Sequence, residues 1–93
     1  MITGAQIRAA RGLIRWSAHE LAERAKLGVA TIRRSEAADG EPLVTVANAA
    51  AIRRALEKAG VEFTNGGQPG VRLQVVNPGG TIPAEELNAS NDE

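Results

Sequence analysis

The sequence contains no cysteine and a single histidine, His19. Without cysteine the chain can form neither a disulfide nor a thiolate metal site, and one histidine cannot build a metal cluster alone. Aromatic residues make up only 2% of the chain, so Trp16 and Phe63 are the only side chains that could stack on a base or a sugar ring. No nucleophile, general base or metal-binding cluster is recognisable. We therefore predict that the protein is not an enzyme and uses no metal or cofactor.

Long apolar runs are also lacking. No run approaches the roughly 20 residues that span a bilayer, and the N-terminus lacks the basic-then-apolar pattern of a signal peptide. We therefore expect a cytoplasmic protein with no membrane partner. The 93 residues are enough for one compact core, and the 43% of hydrophobic residues are mainly alanine, leucine, isoleucine and valine. This composition is typical of small helices that pack closely together.

A net charge of zero conceals an uneven distribution of charge along the chain. Residues 1–60 carry ten basic and six acidic residues, a net charge of +4, whereas residues 61–93 carry one basic and five acidic residues, a net charge of −4. This asymmetry favours a basic binding module followed by an acidic segment.

The sequence predicts four helices, at 3–14, 18–25, 29–38 and 45–59. Apolar residues repeat at helical spacing in the first, second and fourth, and the third follows directly after the three-residue turn 26–28. Thr3 is a suitable N-cap for the first helix, and Ser17 with Glu20 predicts a capping box at the start of the second. Gly60 is a suitable C-terminal stop for the fourth.

The pattern changes after Gly60 to alternating apolar and polar residues. The runs 61–64 and 71–75 are joined by a glycine-rich loop, which predicts a β-hairpin. An isolated hairpin is only marginally stable, so we expect it to pack on the helices or on a second subunit. The sequence thus predicts a mainly α chain with a helical domain at 1–60, a hairpin at 61–76 and a flexible acidic tail at 77–93.

The segment from Ser17 to Glu36 combines a capped helix, a three-residue turn and a second helix. This is the arrangement of a helix-turn-helix motif, whose second helix enters the major groove of DNA. Ala22 is small enough for the close crossing of the two helices. Leu27 can plug the turn, and Ile32 can face the first helix from the second.

Characteristic residues lie both within this segment and on either side of it: Ile7–Arg11, Trp16, Ser17, Glu20–Ala25, Thr31–Arg34, Glu36, Ala51, Ile52 and Leu56. Together these residues resemble the Cro/repressor-like, or Xre-type, helix-turn-helix family of bacterial and phage regulators over roughly the first sixty residues. The resemblance implies a four- to five-helix domain that binds a double-stranded DNA operator as a homodimer, usually as a repressor.

Four positions depart from the pattern of this family. Lys26 stands where a turn glycine is usual, which implies a strained backbone or a locally longer helix. Gly28 stands where a polar residue usually caps the second helix of the motif, at 29–38, and Ser35 replaces an apolar core residue of that helix. Ala18 replaces a glutamine that in many relatives contacts a phosphate.

The resemblance also implies a set of DNA contacts on the second helix of the motif. Arginine can bond O6 and N7 of guanine together, and small apolar side chains can contact thymine methyl groups. The predicted base-contacting residues are Arg34, Arg33, Ala30 and Val29. The predicted phosphate-contacting residues are Ser17, Thr31, Gly28, Arg8, Arg15 and Lys26.

Two other functions stay open at this point. The same domain also occurs in antitoxins. If this protein is an antitoxin, its hairpin or its tail would bind a toxin. A protein-binding anti-regulator without DNA contact is the second alternative, for which Gly28 and Ala18 are slight indications. For a dimer, we expect the fourth helix or the hairpin strands to form the contact.

Overall fold

The computed structural model describes residues 2–65 and 67–74. In this part of the chain four helices precede a two-stranded antiparallel hairpin. The elements are α1 (Gly4–Ile14), α2 (Ala18–Ala25), α3 (Val29–Ser35), α4 (Val46–Lys58), β1 (Val61–Thr64) and β2 (Gly70–Leu73). The prediction of a mainly helical chain followed by a hairpin is confirmed. The predicted tail at 77–93, and the end of the second predicted strand at residue 75, lie outside the described residues.

Side-chain caps fix the starts of three helices. Thr3 and Gln6 form a full capping box at α1, and the Thr45 hydroxyl caps α4. At α2, the Ser17 hydroxyl accepts a hydrogen bond from the backbone N–H of Glu20 as predicted. The carboxylate of Glu20, however, accepts from Arg24 one turn later instead of returning to the cap. The capping box predicted at Ser17 is therefore only half formed, because a charged partner lies within reach of Glu20.

Helix α3 ends at Ser35, three residues before the predicted end. The reason lies in the start of α1, which approaches the backbone after α3 very closely. A Cβ atom placed on Gly4 would overlap the carbonyl oxygen of Ala38. The backbone N–H of Gly4 donates to the carbonyl of Gly40 at 2.8 Å. The residues after Ser35 thus contact α1 instead of continuing the helix.

All four helices and the hairpin share one hydrophobic core. Its buried hydrophobic residues are Ile2, Ile7, Ala10, Leu21, Ala22, Ile32, Ile52, Ala55, Leu56, Val61 and Phe63. Val61 is 2% exposed and Phe63 9% exposed, so the hairpin packs on the helices, which was one of the two expected arrangements. The two strands pair in the register Val61 to Leu73 and Thr64 to Gly70.

A buried glutamine joins α1 to both strands. The side-chain Nε2 of Gln6 donates to the carbonyl of Gly70 at 2.9 Å and to that of Thr64 at 3.1 Å. Its Oε1 accepts from the backbone N–H of Thr3 at 2.8 Å. Because Gln6 is 3% exposed, these bonds also satisfy polar groups that water could not reach easily.

Candidate nucleic-acid interface

Helices α2 and α3 are joined by the short turn of residues 26–28 and pack against each other on the core side. Ala22 and Ile32 are buried, as the sequence predicts for the residues between the two helices. The partly buried Leu27 packs against the core from the turn, and its backbone N–H donates to the carbonyl of Ala22 at 2.9 Å. Ala22, Leu27 and Ile32 therefore all belong to the hydrophobic core or pack against it.

The departures in and around the turn have visible structural consequences. Lys26 adopts a left-handed conformation with φ of 60°, which costs a non-glycine residue about 1–2 kcal/mol. Gly28 precedes α3 and makes no side-chain cap. Ser35 is completely buried, and its hydroxyl donates to the carbonyl of Ile32 at 2.6 Å. The serine therefore occupies a core position without an unsatisfied polar group.

The outward surface of α3 carries most of the predicted base-contacting residues. Ala30, Arg33 and Arg34 are exposed. Neither arginine forms an ion pair with any acidic residue in the described part of the chain. Val29 is half-buried and packs against the core, so it is only partly available for a ligand. The guanidinium of Arg34 donates to the hydroxyl of Thr31 at 3.3 Å, which holds both side chains on the same side of α3.

The segment after α3 lies beside Arg34 and was missed in the sequence prediction. Arg34 shares a shallow groove with Leu43, Thr45 and Asn48, among others. Leu43 is 61% exposed, although it is a large hydrophobic residue. No local sequence signal places this segment, because its position depends on contacts between elements distant in the chain.

The remaining predicted phosphate-contacting residues are dispersed. Ser17 is exposed at the start of α2, and Arg15 is exposed at the end of α1. Arg8 donates to the backbone carbonyl of Glu36 and forms an ion pair with Asp39, so its guanidinium is held by the loop after α3. Lys26 lines a different groove, between α2 and α4. Arg8 is therefore engaged within the fold, and the groove that Lys26 lines includes no residue of α3.

A two-pronged ion pair holds the end of α3 against α1. Arg11 donates from Nε to one oxygen of Glu36 at 2.6 Å and from Nη2 to the other at 2.9 Å. The same guanidinium donates from Nη1 to the carbonyl of Trp16 at 3.0 Å. The hydrogen bonding to Glu36 raises the pKa of Arg11 above its ordinary value, against the opposing effect of burial. Arg11 thus joins α1, the entry to α2 and the end of α3.

Other kinds of site find no support in the part of the chain that the structure describes. Over residues 2–65 and 67–74, no three histidine, cysteine or acidic residues come together as metal ligands would. None of the described helices is long and apolar enough to cross a membrane. The sequence matches no protein-family model and no curated protein.

Proposed function

We propose that the protein is a sequence-specific transcriptional regulator that binds double-stranded DNA. In this proposal α2, the turn of residues 26–28 and α3 form a helix-turn-helix motif, and α3 enters the major groove. One observation carries the proposal: Arg33 and Arg34 are exposed on a short helix whose opposite side is anchored in the core, and neither forms an ion pair within residues 2–65 and 67–74.

The exposed side of α3 is chemically suited to reading base edges. Arg34 can donate two hydrogen bonds to a guanine, and a good contact of this kind discriminates bases by about 1–3 kcal/mol. Ala30 has a short side chain, so it would allow the backbone of α3 to approach the bases closely. Ser17 and Thr31 carry hydroxyl groups that can bond phosphates, which fix the register of a protein on DNA without reading sequence.

Binding as a homodimer is part of the proposal, since one small module buries little surface on DNA and dimers bind two half-sites. Each of the two expected dimer contacts exposes a large apolar side chain. Leu73 on β2 is 49% exposed, and Val46 at the start of α4 is 70% exposed. Light scattering of Leu73→Glu and Val46→Glu separates the two: the variant that shifts to a monomer marks the contact. Point changes are needed because removing the hairpin would also remove Val61 and Phe63 from the core.

The decisive experiment measures affinity for DNA from upstream of the protein's own gene and for random DNA over a series of salt concentrations. A regulator of the proposed kind prefers the upstream DNA, and its affinity for both falls as salt rises, because phosphate contacts release counterions. Equal and weak binding to both, or no binding, would contradict the proposal and favour a protein partner.

Arg34→Ala tests the assignment of the base-reading residue. We expect it to weaken binding to the preferred site by about 1–3 kcal/mol and to relax the preference at one base pair. Arg54→Ala on α4 is the matched control, because Arg54 is also an exposed arginine without an ion-pair partner in the described chain. An equal loss of affinity for preferred and random DNA in Arg34→Ala would show a phosphate contact instead.

A further inference from the structure

A second positively charged surface lies between α2 and α4, and we call it the basic groove. Its lining combines small apolar residues with long charged ones. They are Arg24, Ala25, Lys26, Ala51, Arg54, Ala55, Glu57 and Lys58. No residue of α3 contributes to the lining, so the basic groove is distinct from the proposed nucleic-acid interface.

The charges around the basic groove are not balanced within the described chain. Arg24 is paired with Glu20 at 2.7 Å, and Glu57 is paired with Arg53 at 2.9 Å. The other three cations are exposed and form no ion pair there. They are Lys26, Arg54 and Lys58. Several like charges along one groove create a positive potential that favours an occupant with several negative charges.

The chain itself carries a segment of the opposite charge. Residues 75–93 include no lysine or arginine, and their four acidic residues all fall within the last nine positions: Glu85, Glu86, Asp92 and Glu93. Leu87 lies among them and could contact the alanines of the groove. The helical part of a second copy would be a less favourable occupant, because it would bring its own cations against the cations of the basic groove.

The place where the described chain ends favours an intramolecular contact. Gln74 is the last residue of the described chain, and its backbone N–H donates to the carbonyl of Gly60 at 2.6 Å. Gly60 follows Lys58, which lines the basic groove, by only two residues. Glu85 lies eleven positions after Gln74, and a chain of that length spans up to about 36 Å when extended. A tether of this length keeps the acidic segment at a high effective concentration near the groove.

We propose that the acidic segment 85–93 binds in the basic groove of the same chain. The carboxylates pair with Lys26, Arg54 and Lys58, and Leu87 contacts Ala51 or Ala55. The proposal does not depend on DNA binding, since both partners lie outside α3. It does engage Lys26, one of the predicted phosphate contacts.

Spin labelling of the full chain tests this contact directly. Because the sequence has no cysteine, Ser90→Cys gives a single attachment point for a nitroxide. In NMR spectra of this labelled chain at low salt, we expect the amide signals of residues 51–58 and 25–26 to broaden more than those of α3. The broadening should weaken as salt rises from 0.1 M to 1 M, because the screening length falls from about 10 Å to about 3 Å.

Two triple variants with the same change in net charge provide the control. Lys26→Gln, Arg54→Gln and Lys58→Gln together should abolish the selective broadening. Arg15→Gln, Arg33→Gln and Arg34→Gln together should leave it in place. The proposal is overturned if the first set retains the pattern, if both sets lose it equally, or if the broadening centres on α3. It is also overturned if labelled chains broaden the groove signals of unlabelled, isotope-enriched chains, which would show binding between copies.

Discussion

Replacing Glu36 by glutamine tests how far the ion pair with Arg11 stabilises the fold. The side chain of Glu36 is 10% exposed and that of Arg11 is 24% exposed, so both charges are largely shielded from water. Glu36→Gln removes the negative charge and one of the two acceptors of the guanidinium, while it keeps the size of the side chain. Hydrogen bonds to charged groups contribute about 1.5–3 kcal/mol each.

Because Arg11 retains some contact with water and its bond to Trp16, we expect a loss of about 2 kcal/mol in the free energy of unfolding, within the range for such bonds. In a domain of this size, each kcal/mol lowers the Tm by about 4–8 °C. The loss therefore corresponds to a fall of roughly 8–16 °C. Urea unfolding followed by far-UV circular dichroism measures the free energy, and a thermal scan measures the Tm.

Glu20→Gln is the matched control. Glu20 also pairs with an arginine, but it does so through only one of its oxygens and at the surface of α2. Exposed pairs of this spacing contribute about 0.3–0.5 kcal/mol. If the two glutamine variants lose the same small amount of stability, the shielded pair has no special weight and the reasoning is refuted. A large loss confined to Glu36→Gln supports it.

Three further changes test other contacts of the fold. Gly4→Ala should destabilise the protein by about 1–3 kcal/mol in urea unfolding, because the new Cβ overlaps a backbone carbonyl. Gly12→Ala is the control and should stabilise the protein by about 0.5–1 kcal/mol, because its Cβ meets no other atom. Equal effects of the two changes would contradict the close approach of Gly4 to the backbone after α3. Gln6→Leu should cost about 1–3 kcal/mol by chemical denaturation, since buried carbonyls lose their donor; a neutral result would show that water replaces it. The hydrogen bond from Arg72 lowers the pKa of Glu62 below its ordinary value of 4.5. The native chain should therefore be more stable than Glu62→Gln by a constant amount above pH 4.5, and this difference should disappear as the pH falls through the lowered pKa. An advantage that grows on acidification would reverse the sign of this linkage.

The elements of the fold were predictable because their signals are local. Apolar residues at helical spacing indicate three of the helices, the short turn 26–28 indicates the start of the other, and alternation on both sides of a glycine-rich loop indicates the hairpin. The errors arose where distant segments meet. The end of α3 was misplaced because Gly4, some thirty residues earlier, approaches the following backbone. The second hydrogen bond of the capping box predicted at Ser17 does not form, because the carboxylate of Glu20 accepts from Arg24 instead.

The candidate interface was predictable in part for the same reason. The exposure of Arg33 and Arg34 follows from the helical position of Ile32 in the core. By contrast, nothing local indicates that Arg8 is held by Asp39, or that Lys26 lines a groove together with residues of α4. The resemblance implied phosphate contacts for both residues, but a resemblance in sequence does not specify which neighbours a long charged side chain contacts.

The position of α3 depends on its neighbours in the fold, which are α2 along its length and α1 beyond its end. With seven residues, α3 is too short to be stable alone, and it has no side-chain cap. Its end is held by Arg11 through Glu36, and the backbone beyond it lies directly against Gly4. Contacts in the major groove would require α3 to hold a definite orientation. Residues of α1 that touch no DNA would therefore still affect the affinity of the proposed interface. Loss of the contact between Arg11 and Glu36 would then weaken binding to preferred DNA even at temperatures where the variant remains folded.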